Sequence, residues 1–132
     1  MPATRFSKQR EAIHEYLLST KQHPTAEAVY EHIRQTFPNI SLGTVYRNLN
    51  FLVEHGNALR LRFDDGVDHF DGNITPHNHF FCKRCGKVID LEMDPIDHID
   101  RIANAGFHGD IYGHTIYFYG VCQECKPSPK SN

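Results

Sequence analysis

Apolar residues recur at three- and four-residue spacing in three successive segments, the period of helices that bury one face. In segment 7–20, SKQREAIHEYLLST, Ile13, Tyr16 and Leu17 share a face, and Ser7 can cap the first turn. In about 26–36, Ala26, Val29, Tyr30 and Ile33 share a face with the following Phe37; Thr25 offers the N-cap and Pro38-Asn39 the stop. In about 42–55, Val45, Leu49 and Leu52 face inward, Ser41 caps the start and Gly56 supplies the C-terminal stop. The period then changes to two. Ala58 to Phe63 alternates like a strand, Asp64-Asp65-Gly66 is a turn signal, and Val67 to Phe70 returns. Beyond residues 72–76, His79 to Cys82 and Lys87 to Leu91 read as strands around a tight knuckle. Asp94 can cap a helix from Pro95 to about Ala105, with proline at a favoured first position. His114 to Val121, rich in aromatic and β-branched residues, reads as a last strand.

Two helices joined by the turn Phe37-Pro38-Asn39-Ile40, with a helix before and a hairpin after, have the layout of a winged helix-turn-helix. This predicts an α+β chain: a winged-helix DNA-binding domain over 1–71, a hinge over 72–76, a small α/β domain over 77–126 and a polar tail over 127–132. The net charge of −2 conceals an asymmetry, +3 over residues 1–62 and −5 over 63–132. A basic front half suits nucleic acid, and an acidic, histidine-rich back half suits divalent cations. No apolar stretch is long enough to span a membrane, and the N-terminus lacks the apolar core of a signal peptide. The expected compartment is the cytoplasm.

The four cysteines form two CxxC pairs, Cys82-Lys83-Arg84-Cys85 and Cys122-Gln123-Glu124-Cys125, with 36 residues between them. Two knuckles of this kind build a tetrahedral thiolate site for Zn2+. Structural disulfides are disfavoured in a reducing compartment, and a redox CxxC would open a helix, whereas these follow strands. Four thiolates fill the coordination sphere, so the zinc is structural, and its binding is largely folding free energy.

The chain carries 10 histidines. His14, His32 and His55 fall on helices without ligand-like partners. His77 and His79 differ: two apart in a strand, they project to one face. With Asp71 at the hinge and Asp90 on the next strand, they read either as part of a second metal site or as solvated surface groups.

The segment SLGTVYRNLNFLVEHG, a wing, the HxH and the two CxxC knuckles together resemble the ferric-uptake-regulator (Fur) family over about residues 5–126. The likeness is strongest to its peroxide-sensing branch. It implies that the 77–126 domain mediates homodimerisation and that Cys82, Cys85, Cys122 and Cys125 hold structural Zn2+. It also implies that His23, Asp71, His77, His79 and Asp90 hold a regulatory Fe2+ or Mn2+. Asp90 is the residue type of peroxide sensors; iron-uptake regulators typically carry glutamate there. A further family metal site uses positions that are Pro76 and Asn78 here, so that site is expected to be absent or altered, leaving Asp97, His98, His108 and His114 as stray candidates. The chain is expected to lack an N-terminal helix that many members have.

What the resemblance implies is a repressor in which the regulatory metal fixes the spacing of two winged helices on a palindromic operator. Peroxide would then oxidise His23 or His77 and release the DNA. Tyr46, Arg47 and Asn48 are the candidates for base contact. Ser41, Thr44, Arg60 and Arg62 are the candidates for phosphate contact, with a solvated wing face as the alternative for the last two. Arg47 resembles the iron-uptake branch, and an iron-responsive repressor is the alternative reading. An enzyme is not expected: the cysteine set is closed, and no HxE or HExxH motif occurs. Neither a small organic substrate nor a membrane is an expected partner. A zinc-ribbon module binding only protein is disfavoured by the helix-turn-helix and wing.

Overall fold

A computed structural model describes residues 5–96 and 98–126, with side chains from residue 8 on. The Ser7 side chain, Asp97 and the tail 127–132 lie outside the described residues. The chain divides into two compact units, Met1–Thr75 and Pro76–Asn132.

The first unit runs α1 (Arg5–Ser19), α2 (Ala26–Ile33), α3 (Leu42–Glu54), β1 (Leu59–Arg62) and β2 (Asp68–Asp71). Its core is the set of periodic positions: Ile13 and Leu17 of α1, Val29 and Ile33 of α2, and Val45, Leu49 and Leu52 of α3 are all buried, with Phe70 of β2 among them. Each such side chain contributes roughly 1.5–3 kcal/mol by leaving water, which lets three short helices hold together. Thr25 caps α2 by accepting from the Ala28 N–H at 3.2 Å. Ser41 caps α3 by accepting from the Thr44 N–H at 3.0 Å. These bonds satisfy orphan donors of each first turn.

Helix α1 begins two residues ahead of the expected Ser7 cap, which places Ser7 inside the helix. Helix α2 ends at Ile33, three residues early. The chain tightens there: Gln35 N–H donates to His32 O and Thr36 N–H to Ile33 O, three residues back instead of four. Strands β1 and β2 pair antiparallel from Leu59↔Asp71 to Arg62↔Asp68, and Gly66, at φ 70°, turns between them.

The second unit contains β3 (Asn78–Cys82), β4 (Val88–Leu91), α4 (Ile99–Asn104) and β5 (Phe118–Gly120). The sheet order is β4-β3-β5, with β3–β4 antiparallel and β3–β5 parallel. Helix α4 is shorter than the expected 95–105. Its N-cap is His98, with no side-chain hydrogen bond, so Asp94 is not the cap. No residue of α4 is buried, so no packing extends it. Strand β5 is confined to the residues that β3 can pair, Phe80↔Phe118 to Cys82↔Gly120, and residues 114–117 remain outside it.

Candidate metal centres and nucleic-acid interface

Cys82 ends β3, and Cys122 follows two residues after β5. The register Cys82↔Gly120 and the bond from Lys83 N–H to Gly120 O at 2.8 Å bring the two knuckles side by side. Each knuckle closes in the same way: Gly86 N–H donates to Cys82 O, and Lys126 N–H to Cys122 O. Gly86, at φ 77°, takes the left-handed conformation that the first turn requires.

The four sulfurs lie within 4.8 Å of one another, and Cys85 Sγ is 3.8 Å from Cys122 Sγ. A tetrahedron with Zn–S bonds of about 2.3 Å has edges of about 3.8 Å. The N–H groups of Cys85 and Cys122 both point at Cys82 Sγ, each at 3.4 Å. These backbone bonds pull the Cys82 thiol down to about 6. Cys125 is pushed up to about 12, chiefly by its contact with Cys122. Four sulfurs this close cannot all ionise alone, and a divalent cation resolves the conflict. The set fits structural zinc.

Each unit also carries nitrogen and oxygen donors of its own. In the first, His23 Nε2 lies 3.2 Å from Asp71 Oδ2, with both side chains buried. His23 stands in the break between α1 and α2 at φ 52°, the one described non-glycine residue with positive φ, a conformation kept only where surroundings impose it. The imposing contacts come from β2. Phe70 N–H donates to Pro24 O at 2.9 Å, and Thr25 bridges His69. The His69 ring meets His23 O at 3.0 Å and Asp65 Oδ2 at 2.9 Å. Partial burial alone would raise the Asp65 carboxyl, but the bonds from His69 and the Val67 N–H outweigh it and hold the carboxyl below its usual value.

In the second unit, Asp90 Oδ1 lies 3.1 Å from His77 Nε2 and 3.4 Å from His79 Nε2. The sheet register sets this up: His79 pairs with Asp90 across β3 and β4, and His77 immediately precedes β3 with its ring 4.3 Å from that of His79. Softer thiolate ligands are segregated in the other cluster, and imidazole with carboxylate suits Fe2+ or Mn2+.

His32 stacks on Tyr16, and His55 on Phe51. His114 pairs with Asp100 at 2.6 Å. His98 and His108 are exposed.

Among the residues expected at DNA, Ser41, Tyr46 and Arg47 are exposed on α3. The Tyr46 hydroxyl donates to Glu27 at 3.0 Å, and this bond raises the phenol above its usual value. Arg47 Nη2 donates to Thr44 Oγ1 at 2.9 Å. Asn48 is a correction: it is only 4% exposed and accepts from Arg10 Nε at 3.2 Å. One residue on from Arg47, it is rotated by about 100° toward α1, away from the exposed positions expected of a base contact. Thr44 is also buried, 9% exposed, and serves as the acceptor for Arg47. On the wing, Arg60 and Arg62 both pair with Asp68.

The family model of the ferric uptake regulators matches residues 2–119. The chain belongs to that family. A peroxide-responsive repressor, PerR, of Staphylococcus epidermidis is 38% identical over 122 residues, 92% of this chain and 81% of the relative. Among solved structures, the ferric uptake regulator of Helicobacter pylori is 29% identical at a TM-score of 0.79, over 92% of this chain and 82% of that one. The peroxide stress regulator of Campylobacter jejuni is 25% identical at a TM-score of 0.77, over 92% and 91%.

Three residues in this family member escape sequence reading because their roles arise only from packing. His69 fixes the backbone of His23, Glu27 holds Tyr46, and Arg10 holds Asn48. Nothing in their local spacing marks them.

Proposed function

We propose that this chain is a peroxide-responsive, metal-dependent repressor that acts as a homodimer on a palindromic operator in the cytoplasm. The observation that carries the reading is Asp90, shared by His77 and His79, beside a cysteine cluster already committed to zinc. In this reading His23 and Asp71 of the first unit join His77, His79 and Asp90 of the second around one Fe2+ or Mn2+. Fe2+, when bound, supplies the electron that cleaves peroxide, a reaction for which Mn2+ is poorly suited.

The protein's own groups do the rest. Asp90 orients both imidazoles, His69 fixes His23, and oxidation of His23 or His77 removes a donor nitrogen from the set. Without the shared ion the units are no longer tied, and the two winged helices lose the spacing that two half-sites demand. A coupling of about 3 kcal/mol changes DNA affinity roughly a hundredfold. The change is self-modification, not turnover. Arg47 and Tyr46 face the bases, with Ser41 at the phosphates.

Dimerisation through the second unit is supported by its burial. Its apolar core is small, built around Phe81, Cys82, Val88 and Cys122, while Ile102, Phe107, Tyr112, Phe118 and Tyr119 stay exposed within one chain. A unit of this size buries little apolar surface on its own, and a metal or a partner adds to its stability. Among the described residues no helix is long and apolar enough to cross a membrane.

The test is peptide mass spectrometry of the iron-loaded protein after a brief low dose of peroxide, with the manganese form as control. Tryptic peptides Gln22–Arg34 and Phe63–Lys83 hold the candidate histidines. Added oxygen on His23 or His77 in the iron form alone supports the reading. Intact histidines with iron still bound would favour the second reading, an iron-responsive repressor, for which exposed Arg47 and the likeness to the Helicobacter pylori protein speak.

A further inference from the structure

A groove of about 370 Å³ lies on the first unit, lined by Arg10 of α1 and by Thr44, Arg47, Asn48 and Phe51 of α3. The Arg10 guanidinium lies over the Phe51 ring, 3.5 Å from its centroid. Its Nε donates to Asn48 Oδ1 at 3.2 Å. That bond fixes the fork and leaves the terminal N–H groups of both Nη atoms to the groove, since guanidinium has five donors. Asn48 spends its oxygen on Arg10, and its buried Nδ2 has no acceptor among the described residues. Arg47 brings a second guanidinium to the same groove. Among the described residues no carboxylate lines it.

Two cations and a buried amide donor without an acceptor define a site for a tetrahedral oxyanion, because planar guanidinium forks match phosphate oxygens. Resting on the repressor reading, we propose that this groove seats one phosphodiester of the DNA backbone, with Arg10 as its anchor, the Asn48 amide as a further donor and the Arg47 charge alongside while its fork turns to the bases. DNA is the source favoured over free phosphate because the groove shares Arg47 with the exposed face of α3. Asn48 then positions the protein without reading sequence.

The test uses the full chain with zinc and Mn2+ bound. The probes are a duplex selected by the wild-type protein from a random pool and a scrambled duplex of equal length, titrated between 50 and 200 mM salt, the range over which phosphate contacts are read. Arg10→Met, which keeps the apolar stem on Phe51, is expected to weaken both duplexes by a similar factor, roughly tenfold. It should also reduce the slope of log affinity against log salt by about one. Arg10→Lys should restore the slope but only part of the affinity.

An unchanged slope and affinity in Arg10→Met would overturn the proposal while leaving the repressor reading intact. So would a loss confined to the selected duplex. Failure of the wild type to bind either duplex would overturn both. If Arg10→Met does not fold, side-chain NMR of the wild type decides: DNA must shift the Arg10 Nε–H and Asn48 amide signals, and no shift refutes the site. Inorganic phosphate that shifts these signals while DNA does not would make it a small-anion site and overturn the DNA assignment.

Discussion

Gly72 follows Asp71 and passes against the main chain of α1. A Cβ at this position would sit 2.7 Å from the carbonyl carbon and oxygen of Leu17 and 2.8 Å from the Leu18 nitrogen. Ordinary contact begins at 3.4 Å, so Gly72→Ala requires a retreat of about 0.7 Å between two stretches of backbone, neither of which can swing aside. Overpacking of this kind costs about 1–3 kcal/mol. For a unit of this size each kcal/mol lowers the melting midpoint by roughly 4–8 °C, so the first unit should melt roughly 5–20 °C early. The displaced residue is bonded to Asp71, whose carboxylate lies 3.2 Å from His23, so Mn2+ affinity should fall roughly tenfold, as when a ligand's support is disturbed. Circular dichroism melts and a Mn2+ titration measure the two effects. Gly66→Ala is the control: its φ of 70° strains alanine, but its Cβ meets nothing within 4 Å, so it should lose only about 1 kcal/mol and leave Mn2+ binding unchanged. A Gly72→Ala protein that melts with the wild type and binds Mn2+ equally well would refute the backbone contact as the constraint.

Asp90→Ala removes the carboxylate that two histidines share and should weaken Mn2+ binding at least roughly tenfold while zinc content stays at one per chain, read by elemental analysis. Cys122→Ser should abolish zinc retention and unfold the second unit, visible as loss of dispersed amide signals from β3 to β5 with those of α1 to α3 kept. Cys82 lies near 6 against an ordinary 9.0: its thiolate contribution is complete above the ordinary value and is lost as pH falls through about 6. In the metal-free protein, alkylation of Cys82 should therefore stay fast down to about pH 6 and slow below it, and a rate that falls already through 9.0 would contradict the assignment. Thr25→Ala removes the cap of α2 and should lower urea stability by about 1 kcal/mol.

The helical half of the fold was legible because its periodic residues are its core. Ile13, Val29, Val45 and Leu49 are all fully buried, so pattern and packing describe the same face, and Thr25 and Ser41 mark the starts. The same logic misleads at α4 and β5. Ile102, Phe107 and Phe118 carry apolar signals, yet they are exposed within one chain, and elements without internal partners shrink to what the sheet can pair. The cysteine cluster was legible because each knuckle is local. Asn48 was not: one residue beyond Arg47, it turns toward α1 and meets Arg10, 38 residues distant. His69 reaches His23 across 46 residues, and no spacing rule spans that interval.

The parallel pairing of β3 with β5 orders events during synthesis. Cys82 and Cys85 emerge first and must wait for Cys122 and Cys125 before zinc can close the site, since no tight turn can join parallel strands. By then the whole first unit has left the ribosome, and domains fold as units from the N-terminal end. A cell short of zinc would thus produce chains whose winged helix is formed and whose second unit is not. Under the proposed function such molecules would still meet DNA one half-site at a time, but could neither pair nor answer to the regulatory metal, and they would be the natural prey of proteases.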